Sequence, residues 1–319
     1  MPLKHFLTLF ILLVGALPGA RSQAEELNVY FKTTPRLELL RPFANTVDLS
    51  LLVTEADGRP VKQGSVDVRL DAPPPGKFFS TDYPLVEGAL LSEMRLRLRQ
   101  GKAGWKYLFP IRGQYRLAVD VATDDGRKAR QVFSFRVREN QMKWLALGAF
   151  SVALFGLGLV AGRIFTGAMA LAAALITAGV VAAPAGISAA QQGEAAFLEV
   201  EPATVGIPAR VRWRLADGAQ NRQILLTITI SHLEKDKIVF AIEKVPVVDE
   251  WSMKFHFPDG ADYRITAVAD VSGSASARRE QIVSVTGVEP PAKPTAAAIS
   301  YFVALIALGL GVGRWSKRG

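Results

Sequence analysis

The sequence predicts two antiparallel β-sandwiches held at a membrane by three transmembrane helices, and two observations lead to this fold class. Apolar residues concentrate in a short run near the N-terminus, two adjacent runs in the middle and one run near the C-terminus. The blocks between them, 25–140 and 195–288, alternate apolar and polar residues over strand lengths and lack helical periodicity. An antiparallel sheet with one face on a core shows this alternation, so each block is predicted to be a sandwich.

The first apolar run has the form of a secretory signal peptide. Lys4 and His5 give it a charged start, residues 6–17 are apolar, and small residues continue to Ala24. Because about 20 apolar residues are needed to cross a bilayer, this run is too short for a transmembrane helix. We expect residues 1–24 to be a cleaved signal peptide, with an uncleaved anchor as the alternative.

The other three apolar runs, at 144–162, 164–184 and 295–313, are each long enough to span a bilayer. Only Arg163 interrupts the first two, so they are predicted to form a helical hairpin. The third run ends in a basic tail, 314–319, which contains a tryptophan suited to the membrane interface. With an exported N-terminus, both β blocks are expected in the bacterial periplasm, the spans in the inner membrane and the C-terminus in the cytoplasm.

Composition limits the chemistry of the exported blocks. No cysteine occurs in the 319 residues, so hydrophobic cores rather than disulfides must stabilise the blocks, and thiolate catalysis is excluded. The net charge is +9, but the basic residues are scattered. In an exported chain this charge indicates proximity to anionic lipid headgroups, and no nucleic-acid partner is expected.

The two β blocks are predicted to be duplicates of one unit. When Phe109 is aligned with Phe257 without gaps, Tyr115 falls on Tyr263, and each tyrosine follows a turn. In immunoglobulin-like (Ig-like) sandwiches, a tyrosine at this point of a late strand bonds through its hydroxyl to the preceding corner. We therefore predict two tandem Ig-like sandwiches in which Tyr115 and Tyr263 have structural roles.

A cationic stripe stands out in the first block. Arg95, Arg97 and Arg99 alternate with Leu96 and Leu98, which gives a strand with one cationic and one apolar face. Such a strand is either a solvated edge strand protected by charge or a docking face for an acidic partner or lipid.

The membrane spans suggest helix packing rather than transport. None of them carries Asp, Glu, Lys, Arg or His between its ends, whereas ion and proton pathways need such groups. Gly158 with Gly162, and Gly309 with Gly313, have the small-xxx-small spacing of closely packed helices. The glycines are expected either to pack the protein's own helices together or to dock another membrane subunit.

Catalytic and metal-binding motifs are not recognisable in the sequence. Beyond the signal peptide only His232 and His256 remain, and with Met253 they are the candidate copper ligands. Strand parity predicts that His256 points to water and that His232 covers the end of the core. No paired acid and base, glycine-rich phosphate loop or zinc spacing is found. We therefore expect no catalytic site and no cofactor, with copper as the alternative.

Two resemblances follow from these residues. The order of signal peptide, β block, two-helix hairpin and β block resembles the B subunit of particulate methane and ammonia monooxygenases. That resemblance implies cupredoxin-like β-domains, but the first block has no histidine, so the copper ligands of that family have no counterpart here. The stretch 257–270 resembles the closing strands of YtkA-like and other small Ig-like envelope domains, which implies an exported β-sandwich.

The sequence therefore predicts a non-enzymatic, membrane-anchored periplasmic protein that acts as a scaffold or accessory subunit of a larger membrane complex. Its expected partners are other membrane or periplasmic subunits and the lipid bilayer. The alternative function is copper handling, as a periplasmic chaperone or a cupredoxin-derived subunit of a copper membrane oxidase.

Overall fold

The computed structural model is mainly β, and the residues that it describes form two antiparallel sheets and two α-helices. It describes residues 27–76, 80–139, 141–164, 196–215, 224–271, 276–289 and 292–317. The predicted signal peptide, 1–24, and nearly all of the predicted span 164–184 lie outside the described residues.

Each β block forms a seven-stranded unit followed by an apolar helix. In the first unit, turn residues such as Asp57 and Gly58 separate strands whose apolar side chains alternate toward the core. The strands of the first unit are β1 (Asn28–Thr34), β2 (Val47–Thr54), β3 (Gly64–Asp71), β4 (Leu90–Arg97), β5 (Lys102–Tyr107), β6 (Gly113–Thr123) and β7 (Lys128–Val137). Those of the second unit are β8 (Ala196–Val200), β9 (Ala209–Leu215), β10 (Ile224–His232), β11 (Lys237–Val247), β12 (Glu250–Phe255), β13 (Asp262–Val271) and β14 (Ala277–Ser284).

The two units share both sheets instead of forming two separate sandwiches. One sheet has the order β1-β2-β5-β11-β10-β13-β14, and the other has the order β7-β6-β3-β4-β12-β9-β8. The junctions are the antiparallel pairs β5 with β11 and β4 with β12. This pairing covers strand edges that separate sandwiches would leave open to solvent.

The strand order confirms the duplication inferred from sequence. Each unit places its first, second and fifth strands in one sheet and its third, fourth, sixth and seventh strands in the other. Exchanging the two units maps one sheet order onto the other, so the topology has two-fold symmetry. An Ig-like sandwich likewise places its first, second and fifth strands in one sheet and its third, sixth and seventh in the other; here the fourth strand joins the second group.

The predicted tyrosine corners are present in both units. The buried Tyr115 hydroxyl donates to the carbonyl oxygen of Ile111 at 2.6 Å, and the Ile111 amide donates back to it at 3.2 Å. The Tyr263 hydroxyl donates to the carboxylate of Asp259 instead of a backbone group. Both tyrosines therefore stabilise, through a hydrogen bond, the turn before the sixth strand of their unit.

The arginine stripe lies on β4, which is an interior strand and not the edge strand that one sequence interpretation proposed. β4 pairs with β3 on one side and with β12 on the other. Arg95 makes two hydrogen bonds to Asp67 on β3, at 2.6 and 2.7 Å, and Arg97 lies 3.8 Å from Asp124. Neighbouring carboxylates thus neutralise much of the positive charge of the stripe.

Helices α1 (Gln141–Ile164) and α2 (Ala292–Trp315) extend the predicted spans by a few residues at each end and pack against each other. Both are long and apolar enough to cross a membrane, with a mean hydropathy of 2.1. Phe150 contacts Phe302 in the first half of the two helices, and Arg163 bonds to Ser316 near their ends. The helices therefore run parallel, away from the same end of the β structure.

The four glycines of the small-xxx-small pairs form the helix contact. A Cβ atom at Gly158 would lie 2.4 Å from the Ile306 carbonyl oxygen, and one at Gly309 would lie 2.3 Å from that of Phe155. Gly162 and Gly313 face the opposite helix in the same way. Of the two uses predicted for these glycines, packing between the protein's own helices is the one observed.

Candidate binding cleft

The junction between the two units opens into a cleft, which we call the junction cleft. β5 and β11 pair only at Tyr107 with Phe240 and at Lys106 with Ala241. Beyond these pairs the two strands separate, and the space between them, bounded also by the end of β4, measures about 1210 Å³. Its walls thus come from both units, with β5 on one side and the second half of β11 on the other.

A β-bulge in β11 accounts for the separation. Along β10, Leu226 pairs with Val245 and Ile228 with Ile242, so β11 contains one extra residue at this point. Lys244 takes up the irregularity with a positive φ of 50°, and its amide donates to the Thr227 hydroxyl at 3.1 Å. A bulge bends its strand and redirects side chains, and here it turns β11 away from β5.

Positive charge predominates around the cleft. Lys106 bonds to Glu243 at 2.8 Å, and this hydrogen bond raises the pKa of the Lys106 ammonium group. Within the described ranges, Lys62, Lys102 and Lys244 line the same cleft with no carboxylate in ion-pair contact. The full set of charged lining residues is Lys62, Arg97, Arg99, Lys102, Lys106 and Lys244 against Asp48, Asp124 and Glu243.

Trp105 belongs to the cleft wall through β5, but its side chain packs in the core. It is 3% exposed, and its buried indole N–H has no acceptor among the described residues. At the other junction, Trp251 donates its indole N–H to the Arg95 carbonyl oxygen of the first unit at 3.1 Å. A tryptophan hydrogen bond therefore joins the two units at the pairing of β4 with β12, and the Trp105 indole makes no such bond at the pairing of β5 with β11.

Gly104 exposes the backbone of β5 to the cleft. The amide of Lys102 donates to the Arg99 carbonyl oxygen, and Lys106 pairs with β11, so the backbone groups of both residues point away from β2. Backbone groups of alternate residues in a strand point to the same side, so those of Gly104, which lies between Lys102 and Lys106, also point away from β2. A glycine within a strand often marks a place where a ligand or another backbone approaches closely. The cleft therefore combines cationic side chains with an exposed backbone edge.

The copper candidates occupy different surroundings. His256 is 1% exposed, and its Nε2 accepts the Gly206 amide at 3.0 Å, so the prediction that it points to water is wrong. β12 ends at Phe255, and the period-two alternation does not apply beyond the strand. His232 is buried at the end of β10 as predicted.

Three of the four ring nitrogens of His232 and His256 already have protein partners, and His256 Nδ1 has none among the described residues. His232 Nε2 lies 3.3 Å from Asp259 Oδ2, and its Nδ1 accepts the Lys235 amide at 3.3 Å. Met253 packs in the core of the other sheet, opposite Met94 on β4. No cluster of three His, Asp or Glu side chains suited to a metal occurs in the described part of the chain. Copper binding thus stays a prediction that would require these contacts to rearrange.

Sequence reasoning missed a polar cluster beside the second tyrosine corner. Asp259 bonds to the Lys235 ammonium at 2.5 Å, and that ammonium also lies 4.6 Å from the centre of the Phe43 ring and 3.3 Å from the Tyr83 hydroxyl. Burial alone would raise the pKa of Asp259, but its hydrogen bonds to Lys235 and Tyr263 lower it overall. The cluster joins the two units near the helix starts. Only the turn position of Asp259 was visible in the sequence.

Comparison with known proteins gives structural neighbours only. No family model matches the chain, and no curated protein matches it by sequence. The chain is similar to red sea bream transglutaminase (7% identity, TM-score 0.21, 82% of this chain and 31% of that one) and to E. coli alpha-2-macroglobulin (11% identity, TM-score 0.26, 85% and 14%). A third similar structure is the Yersinia pseudotuberculosis adhesin InvE (8% identity, TM-score 0.23, 81% and 60%). This chain spans less than two thirds of each neighbour.

Proposed function

We propose that this protein is a non-enzymatic scaffold or accessory subunit of a bacterial membrane complex, anchored in the inner membrane with its β structure in the periplasm. The observation that carries the proposal is the direct continuation of each Ig-like unit into an apolar helix, with the two helices parallel and in glycine contact. Parallel helices that leave the same end of a shared β structure fit two crossings in the same direction. This arrangement supports a periplasmic β structure and a cytoplasmic C-terminus.

Contacts at the first helix support a fixed joint between the β structure and its anchor. Arg112, in the corner before β6, forms an ion pair with Glu139 and lies 5.3 Å from the centre of the Trp144 ring. Lys143 forms an ion pair with Asp82. A scaffold that presents a binding surface at a defined height above the membrane needs such a joint.

The junction cleft is the proposed docking site for a partner. Its cations are distributed along two walls instead of converging on one point, and its volume exceeds the roughly 300–1,000 Å³ that is usual for small-molecule pockets. These properties suit an extended, acidic segment of another protein. Lys62, Lys102 and Lys244 would pair with its carboxylates, while the Gly104 backbone would bond to its main chain.

The proposal is tested by purifying the tagged full-length protein from native membranes in a mild detergent, followed by mass spectrometry and metal analysis. We expect stoichiometric membrane or periplasmic subunits without bound copper. Copper near one ion per chain, lost on His232→Ala and His256→Ala, would instead favour the copper-handling alternative.

Charge-reversal variants test the cleft within the same experiment. Lys102→Glu with Lys244→Glu is expected to abolish recovery of the partner, because like charges across an interface oppose binding. Lys32→Glu with Lys128→Glu changes the net charge equally at exposed strand positions outside the cleft. Equal loss of partner in both double variants would contradict docking in the cleft.

A further inference from the structure

Each of the two units exposes a large apolar side chain in the connection between its first two strands. Leu39 is 64% exposed and Ile207 is 63% exposed, the highest values among the large apolar side chains of the described β units. Leu39 lies in the connection from β1 to β2, and Ile207 lies in the connection from β8 to β9. These connections correspond under the two-fold symmetry of the strand order, so the same unusual exposure occurs twice.

Both connections lie beside the chain that leads into a helix. In the first unit, the Arg138 amide donates to the Leu40 carbonyl oxygen at 3.2 Å, three residues before α1 begins. In the second unit, the Val205 amide donates to Thr286 and the Thr286 amide donates to Ala203, shortly before α2. Leu39 and Ile207 therefore flank the helix starts, at the end of the β structure that faces a membrane if the helices cross one.

Other side chains at this end suit a membrane interface. Trp144, in the first turn of α1, is 49% exposed, and aromatic residues of this kind concentrate at the headgroup level. Val288, close to the start of α2, is 47% exposed. The cationic residues Arg36 and Arg138 lie next to the first of the two connections and suit anionic headgroups.

We propose that Leu39 and Ile207 insert into the headgroup region of the bilayer as two lipid contacts, one on each side of the helix pair. This inference rests on the proposed membrane anchoring and deepens it by naming the β residues that contact lipid. Two apolar contacts beside a parallel helix pair restrict tilting of the β structure. They therefore hold the junction cleft, which lies toward the opposite end of the strands, at a fixed height above the membrane.

The absence of cysteine permits a direct test on the full-length protein in nanodiscs that contain anionic lipid. Single variants Leu39→Cys and Ile207→Cys are labelled with a polarity-sensitive fluorophore, and emission is compared between ordinary lipids and lipids brominated close to the headgroup. We expect loss of emission at both positions in the brominated nanodiscs. Val248→Cys, exposed at the other end of β11, is the matched control and should show no loss.

A label at Leu157→Cys, on an exposed position within α1, is measured in nanodiscs whose lipids are brominated in the middle of the acyl chains, and it separates the inference from anchoring. Quenching at 157 without quenching at 39 and 207 would contradict the proposed lipid contacts of Leu39 and Ile207 but would remain consistent with the membrane anchor. Absence of quenching at 157 as well would overturn the anchor itself.

A second measurement keeps the native side chains and excludes insertion driven by the fluorophore. Hydrogen exchange of residues 36–41 and 204–207 in nanodiscs is compared between the unaltered protein and the double variant Leu39→Ser with Ile207→Ser. Faster exchange of these segments in the variant is expected, with unchanged exchange in β6 and β13. Equal exchange in both proteins would contradict the inference.

Discussion

His256 shows how the end of a strand changes the role of one residue. It follows the last residue of β12 and turns into the protein, where its Nε2 accepts the Gly206 amide and its Nδ1 has no partner among the described residues. Burial lowers its pKa to about 4. The imidazole is therefore neutral in the folded protein over most of the pH range in which an exposed histidine takes up a proton.

The lowered pKa of His256 predicts loss of stability in mild acid. Below an ordinary histidine pKa of 6.5 the unfolded chain binds a proton that the folded chain excludes until about pH 4, so the free energy of unfolding falls as the pH decreases through this window. The full effect is about 3 kcal/mol at 1.36 kcal/mol per pKa unit. Urea unfolding of the full chain in detergent at pH 7, 5.5 and 4.5 measures it.

His256→Gln is the informative variant because its amide oxygen can still accept the Gly206 N–H. The variant is expected to lose part of the pH dependence between 6.5 and 4 while it remains folded at neutral pH. An identical pH profile of the free energy of unfolding in both proteins would show that protonation of His256 does not destabilise the fold.

At the scale of elements, the helix pair depends on glycine positions rather than on hydrophobicity. Gly158, Gly162, Gly309 and Gly313 let the two backbones meet, whereas a Cβ atom at Gly156 or Gly311 would have nothing within 4 Å. In a membrane, where lipid is as apolar as the side chains, close backbone packing is a main source of helix association. The spacing of the glycines predicted this contact, but only the structure identified the partner helix.

Substitution at the contact glycines is expected to separate the helices. Gly158→Ala with Gly309→Ala places methyl groups within about 2.4 Å of carbonyl oxygens of the opposite helix, and Gly156→Ala with Gly311→Ala is the matched control. Cysteines introduced at Ser151 and Tyr301, whose side-chain oxygens lie 3.2 Å apart, report the contact through a short thiol cross-linker. Cross-linking should fall strongly in the first double variant and persist in the second. Equal yields in the two would contradict glycine-mediated packing.

At the scale of the whole molecule, the shared sheets make one structure of two repeats. Phe255 of the second unit contacts Tyr107 of the first, and Lys254 bonds to Glu93 across the second junction at 2.9 Å. Buried residues of both units form a single hydrophobic cluster. Neither unit can therefore lose its strands without exposing apolar surface of the other.

This continuity predicts a single cooperative unfolding transition of the β structure. Leu117→Ala in β6 and Ile265→Ala in β13 change equivalent, fully buried residues, and each is expected to cost about 2–5 kcal/mol. Because the transition is shared, each variant should accelerate hydrogen exchange in both units by a similar factor, as measured by mass spectrometry. Acceleration confined to the unit that carries the substitution would show that the units unfold independently.

The sequence by itself determined the local features of this protein. Alternation predicted most strands, the aligned tyrosines predicted the duplication and the two corners, and the apolar runs predicted the two helices that the structure describes. These properties depend on residues close together in the chain, so their period and spacing can be read directly. The buried position of His256 escaped the same method because alternation stops where the strand stops.

Only the tertiary structure decided how the two units combine. The junctions join strands more than 130 residues apart in sequence, such as Tyr107 with Phe240 and Met94 with Met253, and no local period encodes such pairs. The same pairing placed the arginine stripe on an interior strand and opened the cleft beside Trp105. The sequence therefore determined the strands and corners of each unit, whereas non-local strand pairing determined the surfaces that the two units present together. The reason is that this pairing depends on which strand edges remain free after each unit has folded.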